Sequence, residues 1–323
     1  MLDIRLLLAM AFVAADFSEA GAEITSVTGP VSTLGASPAI LAAPAELLDG
    51  CTTGDAQIGF NEAQGIVTPL AFQADDGVLI AKETLVDSHM IFFNQAGSTA
   101  ARHNDVVWTF KRPIIAVMSS WDGGLEAASS FALGTRRTDR TLSSPNLAKC
   151  PGAASVKFRG LESTDNTAPY GHTSCPSGDD CYAVAGNTIK VNMSISQSGD
   201  WMRVITQGAF KIAIHIQPGD APSCIHLNSH GLIPVTILGS AAFDVTQIDQ
   251  NSLDLEGLSV RAKGNGKRQC SLSDINGDGF ADMMCQFQED AKHWHGAHGT
   301  ADVTGALLDG NLFEGSDSIC LAP

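Results

Sequence analysis

Thr188-Ile189-Lys190-Val191-Asn192-Met193-Ser194-Ile195-Ser196 alternates apolar and polar side chains without a break. Ile189, Val191, Met193 and Ile195 fall on one face and Lys190, Asn192 and Ser194 on the other, the period of two that marks a strand with one buried face. A helix would scatter the same four apolar side chains around its circumference.

Outward from this stretch, Trp201–Thr206, Val106–Lys111 and Pro113–Met118 also read as strands. Ser88–Asn94 does so by its aromatic and β-branched content. Leu125–Leu133 reads as either a short helix or a strand, and another short helix is expected around Ala241-Ala242-Phe243. Gly, Asp, Asn and Ser turns separate the strands. The pattern predicts a mainly β protein of two antiparallel β-sandwich-like domains with few short helices.

The chain has 323 residues, long enough for two domains behind a leader. Arg5, the apolar run Leu6–Ala15 and the small-x-small site Ala20-Gly21-Ala22 have the form of an export signal spanning residues 1–22. The run is too short to span a bilayer as a stable helix. The first domain is expected over residues 23–208, with 23–45 loosely ordered, and the second over 209–323. The expected location is secreted, extracellular or periplasmic, with no membrane span and no hydrophobic tail at Ser318–Pro323.

Without residues 1–22 the chain carries 18 Lys and Arg against 32 Asp and Glu, a formal net of −14. That field disfavours nucleic acid and anionic membranes as partners. It suits surroundings rich in calcium.

Asp274-Ile275-Asn276-Gly277-Asp278-Gly279-Phe280-Ala281-Asp282 is the segment with the most explicit chemistry. Asp274, Asn276 and Asp278 supply side-chain oxygens at positions 1, 3 and 5, and Phe280 a backbone carbonyl at position 7. This is the spacing with which a short loop gathers oxygens around Ca²⁺. A full EF-hand closes with a bidentate Glu at position 12, where this chain has Cys285. Asp282 supplies the closing charge at position 9 instead. The short flanks, Gln269–Leu272 and Met283–Phe287, read as strands, so the loop is expected at the tip of a hairpin holding one structural ion.

Eight cysteines in an exported chain make disulfides the default. Cys175–Cys181 brackets a turn, and Cys270–Cys285 flanks the calcium loop. Cys51–Cys150 and Cys224–Cys320 are the remaining expected pairs, each within one domain.

The second half resembles a repeat found in exported bacterial proteins of largely unassigned function. The resemblance rests on Ile216-Gln217-Pro218-Gly219, Ile225-His226-Leu227, Gly231-Leu232-Ile233-Pro234-Val235-Thr236-Ile237-Leu238-Gly239, Phe243-Asp244-Val245, the calcium loop and Gly315-Ser316-Asp317-Ser318-Ile319. The loop is also similar to those of FG-GAP and dockerin-type modules. In the first half, Gly59–Gly65, Val86–Phe92 and Asp200–Val204 resemble a domain of exported proteins, some of which carry a PEP-CTERM-type sorting anchor. Neither resemblance implies a catalytic activity.

His293-Trp294-His295-Gly296-Ala297-His298 is a second cluster. His293 and His295 share a strand face and His298 can fold back over Gly296. Three imidazoles have the chemistry to hold Zn²⁺ or Cu²⁺, and an exposed polar loop is the plainer alternative. His89 reads as a satisfied core histidine, Trp201 as core, and Asp75-Asp76 and Asp179-Asp180 as turn residues. No Gly-x-Ser-x-Gly elbow, His-Glu-x-x-His helix or phosphate-binding Gly-Lys-Ser/Thr loop occurs.

These features predict a secreted calcium-binding protein without catalysis of its own. Its expected role is a binding or structural module for a glycan or matrix component. The alternative is a secreted hydrolase or carbohydrate-binding accessory with its site in the first domain.

Overall fold

The structure is a computed structural model. It describes residues 23–43, 53–75, 77–95, 100–120, 123–133, 160–161, 180–195, 199–218, 224–226, 231–289 and 298–322. Along the chain these form β1 (Ile24–Thr28), β2 (Ala39–Ile40), β3 (Ile58–Val67), β4 (Phe72–Gln73), β5 (Leu79–Ile80), β6 (Leu85–Phe93), β7 (Ala101–Phe110), β8 (Ile114–Met118), helix α1 (Gly124–Leu133), β9 (Cys181–Ala185), β10 (Thr188–Ile195) and β11 (Asp200–Gln207). There follow β12 (Ala209–Lys211), β13 (Ile214–Ile216), β14 (Cys224–His226), β15 (Leu232–Ile237), β16 (Asp254–Leu255), β17 (Leu258–Ser259), β18 (Cys270–Ser273), β19 (Asp282–Gln288), β20 (His298–Ala306) and β21 (Leu312–Ala322). The fold is mainly β.

The first sandwich packs a sheet of order β1-β7-β10-β9 on one of order β2-β3-β6-β11-β8. Ile189, Val191, Met193 and Ile195 of β10 point between the sheets with Trp108, Phe110, Ile91, Phe93, Met202 and Val204. All nine residues of β6 are buried, because its sheet is covered on both faces. Phe72, Ile80 and Leu133 from β4, β5 and α1 close part of the outer face over Val86, Met118 and Ile205. Such a strand loses its alternation and reads as a continuous apolar run, as His89–Phe93 does. Beneath α1, the Arg203 Nε and Nη2 donate to both oxygens of Glu62 at 2.8 Å, and Nη1 donates to Ser129 Oγ at 2.6 Å. That fork fixes the helix on the sheet.

Of residues 23–45, expected loosely ordered, 23–43 are described, and their first residues are held in the sheet. Ile24–Thr28 pairs antiparallel with β7, and Ile24 is fully buried. The Ala- and Ser-rich composition hides one well-placed apolar side chain and one buried acid, Glu23.

The second sandwich packs a sheet of order β12-β21-β20-β16-β17 on one of order β13-β15-β19-β18. β12 and β14 run parallel to β21 at its two ends. Ile214, Ile216, Ile233, Val235, Ile237, Phe287, Val303 and Phe313 belong to its core. Disulfides Cys224–Cys320 and Cys270–Cys285 join residues that are directly opposite in their ladders. Asp244 caps the short 3-10 turn Val245–Gln247 by accepting from Thr246 N. Asp317 accepts from Ile216 N at 2.8 Å, tying β21 to β13.

One residue, Gly208, separates β11 from β12. A side chain there would put its Cβ 2.6 Å from Val86 N, so only glycine lets the chain pass this close to β6. At this junction a buried charge cluster draws on both. The Arg112 Nη1 donates to Glu23 at 2.8 Å and Asp87 at 2.9 Å, and Nη2 donates to Glu314. Lys211 donates to Glu23 at 2.8 Å and to Glu314. Lys111 donates to Glu314 at 2.7 Å and lies 3.8 Å from Asp302. Burial, then the charge of Glu23, pushes the Asp87 carboxyl up to about 6, outweighing the Gly65 N–H bond and the attraction of Arg112 and Lys211. Burial raises Glu314 too, but hydrogen bonds from Lys111 and Lys211 and the charges of Lys211 and Arg112 hold it at about 2.

Replacing Arg112 by Met leaves Glu23, Asp87 and Glu314 with one fewer cation in a buried site. Loss of one partner from such a cluster costs about 3–5 kcal/mol. Urea denaturation of Arg112→Met should show a loss of that order, and a loss under about 1 kcal/mol would mean the cluster is solvated.

Candidate metal centre

The loop 274–282 joins β18 to β19, which pair from Ser273↔Asp282 to Cys270↔Cys285. Cys270–Cys285 encloses a span of 15 residues, and closing a loop of that size constrains the unfolded chain by about 3 kcal/mol. Gly277 and Gly279 have φ of +77° and +91°. A Cβ at either would meet nothing within 4 Å, so these glycines serve backbone conformation and not room.

The loop is held by its own side chains. Six consecutive amides, from residue 275 to residue 280, each donate to a side chain of the loop. Ile275 N and Asn276 N donate to Asp282 Oδ2 at 2.8 and 3.3 Å. Gly277 N and Gly279 N donate to the two oxygens of Asp274 at 2.7 and 3.0 Å. Asp278 N donates to Asn276 Oδ1 at 3.0 Å, and Phe280 N to Asp278 Oδ1 at 2.9 Å. The positive ends of these dipoles offset the repulsion among the carboxylates.

Asp282 differs from the others. It is fully buried, and its Oδ1 accepts from Gly239 N at 2.9 Å. It thus links the loop to the end of β15. Gly239 is needed there, since a Cβ would fall 2.1 Å from Ala281 O. The glycine that closes the Ile233–Gly239 stretch is therefore a partner of the loop, which the local sequence of the loop does not reveal.

Asp274, Asn276, Asp278 and Phe280 are exposed, and each side-chain oxygen of the first three accepts a hydrogen bond from within the loop. Asn276 Nδ2 donates to Asp278 Oδ2 at 2.9 Å. Among the described residues no three His, Cys, Asp or Glu side chains are gathered so that they could hold a metal ion. The three Asp carboxylates do not converge here, because Asp282 is turned to three amides. The donor set is nevertheless all oxygen: two solvent-facing carboxylates, an amide oxygen, a main-chain carbonyl and the buried Asp282. That chemistry fits a hard cation such as Ca²⁺ and not a soft one.

The other candidates divide. His293 and His295 lie outside the described residues, and so do Cys51, Cys150 and Cys175. His298 opens β20 opposite Cys320, with its side chain outside the description. His89 is fully buried, and its ring nitrogens meet Asn61 Oδ1 at 2.9 Å and Thr206 Oγ1 at 3.0 Å. Burial, with the charges of Arg112 and Lys211, lowers it to about 3, so it is neutral near pH 7 and a core residue. Trp201 is buried and stacked on Phe92 at 4.3 Å. Asp75 is more than a turn residue: it is buried and accepts from Ser119 N, Ser119 Oγ and Tyr182 Oη.

Asp282→Ala would leave Gly239 N without its acceptor at a buried site, and would also release Ile275 N and Asn276 N at the loop. Each orphaned group costs about 1–3 kcal/mol, so urea denaturation should show a loss of at least about 2 kcal/mol. Asp274→Ala, whose amide partners can turn to water, should lose less. Equal losses would show that Asp282 has no special place in the loop.

Comparison with protein-family models, with curated proteins and with solved structures gives no match.

Proposed function

We propose that this is an exported, calcium-binding β protein that acts as an extracellular binding or structural module and not as an enzyme. One observation carries the reading. The chain 274–282 folds into a loop whose amides from 275 to 280 are each taken by its own acidic and amide side chains, while Asp274, Asn276, Asp278 and Phe280 stay exposed to solvent. In this reading Asp274, Asn276, Asp278 and the Phe280 carbonyl hold Ca²⁺ with Asp282 behind them. Asp278 exchanges the Asn276 amide for the ion. The acidic balance of the whole chain and the resemblance to calcium-loop repeats of exported proteins support the same assignment.

The ion's role in this reading is mechanical. The loop caps a hairpin already closed by Cys270–Cys285, and Asp282 carries its position to β15. Extracellular modules bind calcium at about 10⁻⁴–10⁻³ M. At tenfold excess over Kd, binding adds about 1.4 kcal/mol to stability. The partner proposed for the module is a glycan or matrix component, engaged in a way that a chelator weakens.

Isothermal titration of the chain from Glu23 onward should give one site in that affinity range, weakened about tenfold or more by Asp278→Asn. A binding screen against glycans and matrix components, with and without chelator, addresses the partner. No heat of binding up to several millimolar calcium would refute the metal assignment.

A further inference from the structure

Val260 and Asp282 are buried, and between them no residue is. That excursion carries β18 and the loop 274–282 up to its last residue. Every residue from 271 to 281 is exposed, Leu272 to 50%, so apolar burial does little to hold this part of the chain. β18 is the edge of its sheet and pairs with β19. At its base Gln269 N donates to Arg261 O at 2.8 Å, and Arg268 Nη1 donates to Val260 O at 2.8 Å. Cys270 is where the excursion meets the core. It is half-buried against the apolar cluster of the second sandwich, and its bridge runs to Cys285, which is fully buried opposite Val235 of β15.

We propose that Cys270–Cys285 is a redox switch on the calcium loop: the site holds calcium once the two cysteines are oxidised, so that calcium binding follows export. The inference rests on the calcium and export readings given above. A chain still in a reducing compartment carries the two thiols. β18 then has only its ladder bonds and the bonds at its base to keep it on β19, and an exposed edge strand opens at low cost. When it opens, Ile275 N and Asn276 N lose Asp282 as their acceptor. Asp274, Asn276 and Asp278 then move away from Asp282 and no longer share a site with it.

Closing the switch takes two electrons and two protons from the cysteine thiols and passes them to the disulfide of an exported oxidase, which leaves as a dithiol. Opening is the reverse, with a small thiol or a protein dithiol as reductant. Its thiolate attacks the sulfur of Cys270, the less buried of the two residues, and Cys285 leaves as a thiolate. A second thiolate then takes the mixed disulfide, which leaves Cys270 reduced and the reductant oxidised. Cys224–Cys320 ties β14 to β21 in the other sheet and joins neither strand of the hairpin.

Bridging a span of 15 residues disfavours the open form by up to about 100-fold. A site whose closed form is depleted binds with a Kd raised by the same factor. The coupling is reciprocal: the factor by which the disulfide raises calcium affinity is the factor by which calcium favours the disulfide.

The test compares the chain from Glu23 onward as wild type, Cys270→Ala and Cys224→Ala. Cys270→Ala breaks the bridge and leaves the buried Cys285 side chain in place. In chelator, hydrogen exchange of the peptide covering residues 270–288 should be faster in Cys270→Ala than in wild type, and unchanged in Cys224→Ala. In calcium titrations Cys270→Ala alone should show a Kd raised about tenfold or more. A second measurement needs no variant and stands even if Cys270→Ala fails to fold. Wild type is equilibrated in thiol–disulfide buffers with and without millimolar calcium, and each bridge is read by alkylation and peptide mass. Calcium should favour Cys270–Cys285 about tenfold, a shift of ~30 mV, and leave Cys224–Cys320 where it is. No calcium binding by oxidised wild type would overturn the calcium reading and the inference with it. Binding by wild type with the same Kd in Cys270→Ala, or with no effect of calcium on the Cys270–Cys285 equilibrium, would overturn the inference alone.

Discussion

A carboxylate buried away from water has to be met by donors, and Asp282 is met by three backbone amides. Two belong to the start of the loop and one to Gly239 at the end of β15. The arrangement makes the hairpin tip part of the second sandwich rather than an appendage of it. The left-handed glycines, the Asp274 turn, the exposure of Asp278 and Phe280, and the close approach of Ala281 to Gly239 all presuppose that anchor. A cation bound in front of it would act on a frame already folded, which is why the role proposed for calcium is stiffening and not folding from a disordered state.

The two sandwiches are joined by a different kind of constraint. Gly208 removes any spacer between β11 and β12, and a buried cluster of acids and bases fills the junction. Buried ion pairs are poor sources of net stability compared with apolar packing, and their usual contribution is to fix one arrangement among several. A cluster fed by β6, β12, β21 and the ends of β1 and β7 fits only one relative placement of the domains.

Much of this fold was legible in the sequence, and the reasons are specific. Thr188–Ile195 kept its alternation because β10 buries one face only. The pairing of Cys270 with Cys285 and of Cys224 with Cys320 followed from spacing and domain membership. The oxygen-rich loop stood out because its donors are local, within nine residues. The junction cluster did not stand out, since Glu23, Asp87, Arg112, Lys211 and Glu314 are dispersed through the whole chain and none has a local signature. Within 23–43, composition did not single out Glu23 and Ile24, the two buried side chains that open β1. Asp75 was read from its neighbours as a turn former, whereas its carboxylate is used by Ser119 and Tyr182 from elsewhere in the sandwich.

The functional account depends on the loop being a built site that awaits a hard cation. Hydrogen exchange followed by mass spectrometry of the peptides covering residues 270–288 and 232–239, with chelator and with several millimolar calcium, tests this most directly. The account predicts that the amides of 275–280 are already slowed in chelator, because the loop's own side chains accept from them. It predicts further slowing in calcium that extends through Asp282 to the Gly239 end of β15. Exchange that is the same in chelator and in calcium would contradict it.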